Sequence, residues 1–96
     1  MRRWYLVTYD ISDEKRLRYV FRKMRGFGMA MQYSVFLCML SDREKALMIG
    51  ALDELIDHVE DRVMILDVGR EGRGTAKKFR FLGRVTPLPE REAVII

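Results

Sequence analysis

Residues Arg3 to Asp10 form a run of aromatic and β-branched side chains that stops on a carboxylate, and the pattern predicts a strand. Trp4, Leu6 and Thr8 point one way, and Tyr5, Val7 and Tyr9 point the other. Both faces are apolar, so both want cover; helices pack on one, and the other asks for more than a single small domain supplies. Ser12 and Asp13 read as a helix cap. The helix that follows runs from about Asp13 to Phe27. Leu17, Val20, Phe21, Met24 and Phe27 keep the i, i+3, i+4 spacing of a buried stripe. Lys15, Arg18, Arg22 and Arg25 line the opposite side, with Arg16 and Lys23 on the flank. Asp13 and Glu14 suit the positive end of the helix dipole, and Gly26 and Gly28 end the helix.

Ala30 to Leu40 reads as one long strand, with Met31, Tyr33, Val35, Leu37 and Met39 on one face and Gln32, Ser34, Phe36 and Cys38 on the other. Ser41-Asp42-Arg43-Glu44 is a capping box. The helix after it runs to about His58 on a stripe of Met48, Ala51, Leu52, Leu55 and Val59, and its Asp53, Glu54 and Asp57 face solvent. Arg62 to Val68 reads as a third strand, Gly69 to Lys78 as a basic glycine-rich loop, and Lys78 to Val85 as a fourth strand. Thr86-Pro87-Leu88-Pro89 is a stiff link to an apolar end, Ala93-Val94-Ile95-Ile96, which reads as a last strand docked on a sheet edge. Read strictly, the order is β-α-β-α-β-β-β. The Ala30–Leu40 tract bent at its middle, or a hairpin of Val63–Val68 with Lys78–Val85, would bring it closer to β-α-β-β-α-β; periodicity does not choose between them.

Length and composition narrow the class. The 96 residues make one domain, and 49% hydrophobic with 33% charged residues marks a globular chain. A formal net charge of +4 is a mild lean toward polyanions. One cysteine, Cys38, excludes an internal disulfide and fits a reducing cytoplasm. One histidine and one cysteine do not fill a zinc site. The N-terminal apolar run breaks at Asp10 without a small-residue cleavage site, as a first strand does and a secretion signal does not. Nothing approaches the roughly 20 apolar residues that span a membrane.

The chemistry concentrates at Asp10. A carboxylate at the lip of a buried strand, just before a basic helix, suits a divalent cation and a phosphate backbone; it also suits a plain strand end and turn. Asp13 and Glu14 read as helix-terminus charges rather than further ligands. The Lys15/Arg18/Arg22/Arg25 row is either a phosphate-contacting or a solvated face. Nothing resembles base-edge readout, so little sequence preference is expected. Ser34 has no histidine base beside it in the sequence. Gly69 to Thr75 lacks the Gly-Lys-Ser/Thr ending of a phosphate loop. His58 reads as a helix cap.

Tyr9-Asp10-Ile11-Ser12-Asp13, then a basic helix, then Gln32-Tyr33-Ser34-Val35-Phe36, resembles the second universal family of CRISPR-associated proteins (Cas-two), and the resemblance covers nearly the whole chain. It implies an α+β, ferredoxin-like βαββαβ sandwich with an extra C-terminal strand, in a homodimer. The ferredoxin-like domain would span 1–85, and residues 86–96 would add a strand to the partner's sheet. It further implies a Mg²⁺ ion held between two copies of Asp10, which would be both catalytic and metal-binding. The first helix, with Lys15, Arg16, Arg18, Arg22 and Arg25, would contact nucleic acid; Ser34 and Phe36 would support the site near the two-fold, although plain core is the more frequent fate of a strand phenylalanine. Ala30 stands where members often carry an arginine, and the helix arginines fall one residue from those of some members.

The implied function is CRISPR adaptation, an antiviral defence, by a metal-dependent endonuclease cleaving phosphodiester bonds of RNA or DNA. The rival is a non-catalytic DNA-binding scaffold that bridges Cas-one integrase units. A general RNA-binding module fits less well, because Val63 to Val68 lacks stacking aromatics.

Overall fold

The first strand forms as its composition demands. In the computed structural model, which describes residues 1–70, 72 and 74–85, β1 spans Arg3–Asp10. Helix α1 (Glu14–Arg25) starts at Asp13, whose side chain accepts from the Arg16 amide. Strands β2 (Met29–Gln32) and β3 (Val35–Leu40) follow, then helix α2 (Asp42–Leu55) and strand β4 (Arg62–Arg70), with a 3₁₀ turn at Thr75–Lys78. The sheet is ordered β2-β3-β1-β4, with every neighbouring pair antiparallel. No helix among the described residues is long and apolar enough to cross a membrane.

The two faces of β1 meet different fates. Tyr5, Val7 and Tyr9 join Val20 and Met24 of α1, Phe36 and Cys38 of β3, and Met48 and Leu52 of α2 in the main core. Burying each of the larger apolar groups contributes about 1.5–3 kcal/mol. Burial pushes the Cys38 thiol up to about 12, which keeps it inert. On the other face Trp4, Leu37 and Met39 form a smaller cluster that Leu6, Met31, Val68 and Phe79 flank. Gly28 lets β2 lie close to β3; a Cβ there would come within 2.5 Å of Cys38 Sγ and of the Leu37 carbonyl. At the far end, β4 carries one extra residue opposite Trp4/Tyr5, a bulge turned by Gly69 at φ 119°.

Three expectations are corrected. The tract read as one strand from Ala30 to Leu40 is a hairpin folded at Tyr33-Ser34, which gives the β-α-β-β-α-β order directly. No non-glycine residue among those described has a positive φ, so the turn carries no glycine or asparagine signature. It is fixed from outside: Tyr9 donates from its amide to the Ser34 carbonyl at 3.1 Å and from its hydroxyl to the Tyr33 carbonyl at 3.0 Å. The Tyr33 ring stacks on Phe21 of α1 at 4.9 Å.

Helix α2 stops at Leu55 rather than near His58, because Asp57 accepts from the Val59 and Glu60 amides and turns the chain. Val59 is consequently exposed, not in the stripe, and His58 pairs with Asp53 at 2.7 Å. Residues Phe79 to Val85 form no strand; Phe79 instead docks on the Trp4 cluster and stacks with Phe81. The expected C-terminal strand, residues 86–96, lies outside the described residues.

Candidate nucleic-acid and metal site

Asp10 closes β1 on the same side as Trp4, Leu6 and Thr8, the face that the helices leave open. Its cross-strand neighbour is Arg62, the first residue of β4, as Met64 is of Thr8 and Leu66 of Leu6. The Arg62 guanidinium donates to Asp10 Oδ2 at 3.1 Å, and the carboxylate remains 73% exposed. Further along this face two apolar side chains of β4 stay uncovered: Met64 is 65% and Leu66 56% exposed.

The turn that follows Asp10 is tightly held. Ser12 donates from its amide to Asp61 Oδ1 at 3.0 Å, and the Asp57 amide donates to Oδ2 at 2.8 Å. Arg16 clamps the same carboxylate with two bonds, Nε to Oδ2 at 2.8 Å and a terminal nitrogen to Oδ1 at 3.1 Å. The Asp61 side chain is wholly buried. The Arg16 guanidinium, helped by the Asp57 and Ser12 amides, holds its carboxyl far below the usual carboxylate range, and Asp61 in turn holds Arg16 above its own. A bidentate, multiply bonded pair of this kind costs most when one partner is removed.

The arginines of α1 therefore divide. Arg16 is engaged with Asp61. Lys15, Arg18, Arg22 and Arg25 are exposed and make no ion pair among the described residues; Arg22 lies 5.6 Å over the Tyr19 ring. Ser34 sits in the hairpin turn with its carbonyl bound to β1. Phe36 is fully buried in the chain's own core, against Tyr9 and Phe21. Burial pushes the Tyr9 hydroxyl up to about 12. Two members of the cluster escaped the sequence reading, Asp61 and Arg62. An acid directly before a basic, strand-opening residue was visible, but nothing in the spacing placed either one beside Asp10.

As a metal position, one chain is incomplete. Asp10 offers hard oxygen donors, but no group of three or more His, Cys, Asp or Glu side chains converges on a metal position among the described residues. Mg²⁺ keeps several waters and takes one or two carboxylates, and Asp10 offers one.

The fold and this cluster define a small α+β protein: one four-stranded antiparallel sheet, two helices on one face, and an acid at the rim of the other. Residues 1–76 match the family described as CRISPR associated protein Cas2, and the chain belongs to that family. It is 38% identical over 96 residues to the CRISPR-associated endoribonuclease Cas2 of Geobacter sulfurreducens, covering 100% of both chains. It is 40% identical over 92 residues to the CRISPR-associated endoribonuclease Cas2 1 of Rhodospirillum rubrum, covering 96% of this chain and 89% of the other. Among solved structures, Streptococcus pyogenes Cas2 superposes with a TM-score of 0.72 at 29% identity, over 83% of this chain and 99% of that one. A hypothetical protein from Thermus thermophilus reaches a TM-score of 0.77 at 32% identity, over 94% and 100%.

Proposed function

We propose that this chain acts as a homodimeric, Mg²⁺-dependent endonuclease on phosphodiester bonds of RNA or DNA, in the cytoplasm, within CRISPR adaptation. The observation that carries the reading is the exposed Asp10 carboxylate at the rim of a helix-free sheet face on which Met64 and Leu66 stay exposed. An uncovered apolar patch of this kind favours a partner surface. In a two-fold pairing of ferredoxin-like sheets through that face, each Asp10 lies near its twin, and two carboxylates meet the ligand demand of Mg²⁺. When bound, the ion polarises a phosphodiester and activates water. The chain's own residues do the rest: Asp61 and Arg16 hold the turn that carries Asp10, and Lys15, Arg18, Arg22 and Arg25 draw the backbone along α1.

Support also comes from the relatives named endoribonucleases. The test is Asp10→Ala in purified protein. Metal-dependent cleavage should fall by more than about 100-fold with the dimer unchanged by light scattering; cleavage that persists overturns the reading.

The unpaired basic row of α1 favours a second reading, a non-catalytic scaffold that holds DNA by its backbone and bridges Cas-one integrase units. It expects spacer integration to survive Asp10→Ala and to fail on charge reversal of Arg18 and Arg22.

A further inference from the structure

Asp10 is not a free carboxylate in this chain. Arg62 faces it across β1 and β4 in register, and its guanidinium donates to Oδ2 at 3.1 Å. Arg62 is 84% exposed, so it is neither a core residue nor held by any second acid among the described ion pairs. A cation so close to a ligand oxygen competes with any metal ion for it. The pairing is also cheap to break, because exposed ion pairs contribute about 0–1 kcal/mol.

We infer that Arg62 is a two-position residue: it neutralises Asp10 in the metal-free protein, and a divalent cation on Asp10 releases it to contact a nucleic-acid phosphate. The inference rests on the reading of Asp10 as a metal ligand. It assigns a phosphate contact to β4, separate from the α1 row, and makes that contact depend on the metal. Because coupling between two ligands is reciprocal, metal tightens nucleic acid and nucleic acid tightens metal. The released side chain stands at the same sheet rim as the acid, where a phosphate near the ion would lie. Asp61, the preceding residue, is anchored by Ser12, Asp57 and Arg16, so the Arg62 backbone stays in place while its side chain moves.

The experiment titrates wild type, Arg62→Gln and, as a control for lost charge, Arg70→Gln at the opposite end of β4. MgCl₂ is titrated calorimetrically, and a short labelled duplex is titrated by fluorescence anisotropy with and without Mg²⁺. Arg62→Gln should bind Mg²⁺ about three- to tenfold more tightly than wild type, and Arg70→Gln should match wild type. Mg²⁺ should tighten duplex binding at least about threefold more in wild type than in Arg62→Gln. Wild type that binds Mg²⁺ through Asp10, with Arg62→Gln no tighter, overturns this inference and leaves the metal reading standing. Wild type that takes up no Mg²⁺ overturns both.

Discussion

Two aspartates stand at the same corner of the sheet and do opposite work. Asp61 opens the approach to β4 with its side chain wholly buried, bound by two amides and a bidentate guanidinium. Asp10 ends β1 with its side chain 73% exposed and one arginine contact. The first has every lone pair engaged and nothing left for a ligand; the second meets one exposed arginine and keeps lone pairs open to solvent. A sequence in which aspartates look alike thus separates into a structural acid and a candidate reactive one, and burial with its hydrogen bonds makes the division.

That contrast is open to measurement. The largest effect should come from Asp61→Ala, which strips bonds from the Ser12 and Asp57 amides and leaves Arg16 only its longer ion pair with the exposed Glu60 at 3.5 Å. Urea unfolding should show a loss of about 2–4 kcal/mol. Asp10→Ala should change the same stability by no more than about 0.5 kcal/mol; a comparable loss at both positions would erase the distinction.

Next in size is a binding effect. Reversing Arg18 and Arg22 together to Glu should weaken duplex binding by about 10- to 100-fold and flatten its dependence on salt, with the unfolding midpoint little changed. Arg16→Gln should do the reverse, lowering the midpoint more than the affinity, since Arg16 is engaged with Asp61.

Titration probes the same contrast, with an exposed histidine as its smallest effect. Asp61 has a depressed pKa in the folded chain, chiefly from its bonds to Arg16. The stability it contributes is therefore complete above the ordinary aspartate value near 4 and is lost as pH falls from there toward the lower folded value. Acid unfolding of wild type should begin in that window, and Asp61→Asn should shallow the fall. His58, raised by its bond to Asp53, works with the opposite sign. Its stabilisation is full below the ordinary histidine value and disappears as pH rises through the folded one. On an exposed pair this should shift the thermal midpoint only slightly, and Asp53→Asn should abolish the shift.

Much of this architecture was written in local pattern. Alternation over Arg3–Asp10 and the Leu17, Val20, Phe21, Met24 stripe gave β1 and α1, and Ser41 with Glu44 gave the start of α2 through a capping box that the structure forms. These features are legible because period and caps are properties of neighbouring residues. The exposed carboxylate at the strand end and the basic side of α1 were legible for the same reason.

What the tertiary structure alone decided were the places where distant residues set the geometry. The Tyr33-Ser34 turn folds without a glycine or asparagine because Tyr9 and Phe21 hold its tip. Phe79 leaves the expected strand for the apolar cluster around Trp4. Arg16 belongs to Asp61, 45 positions away, and Arg62 reaches Asp10 across 52. No window along the chain contains both members of such a pair. Sheet register and burial, which choose the partners, exist only once the chain has folded.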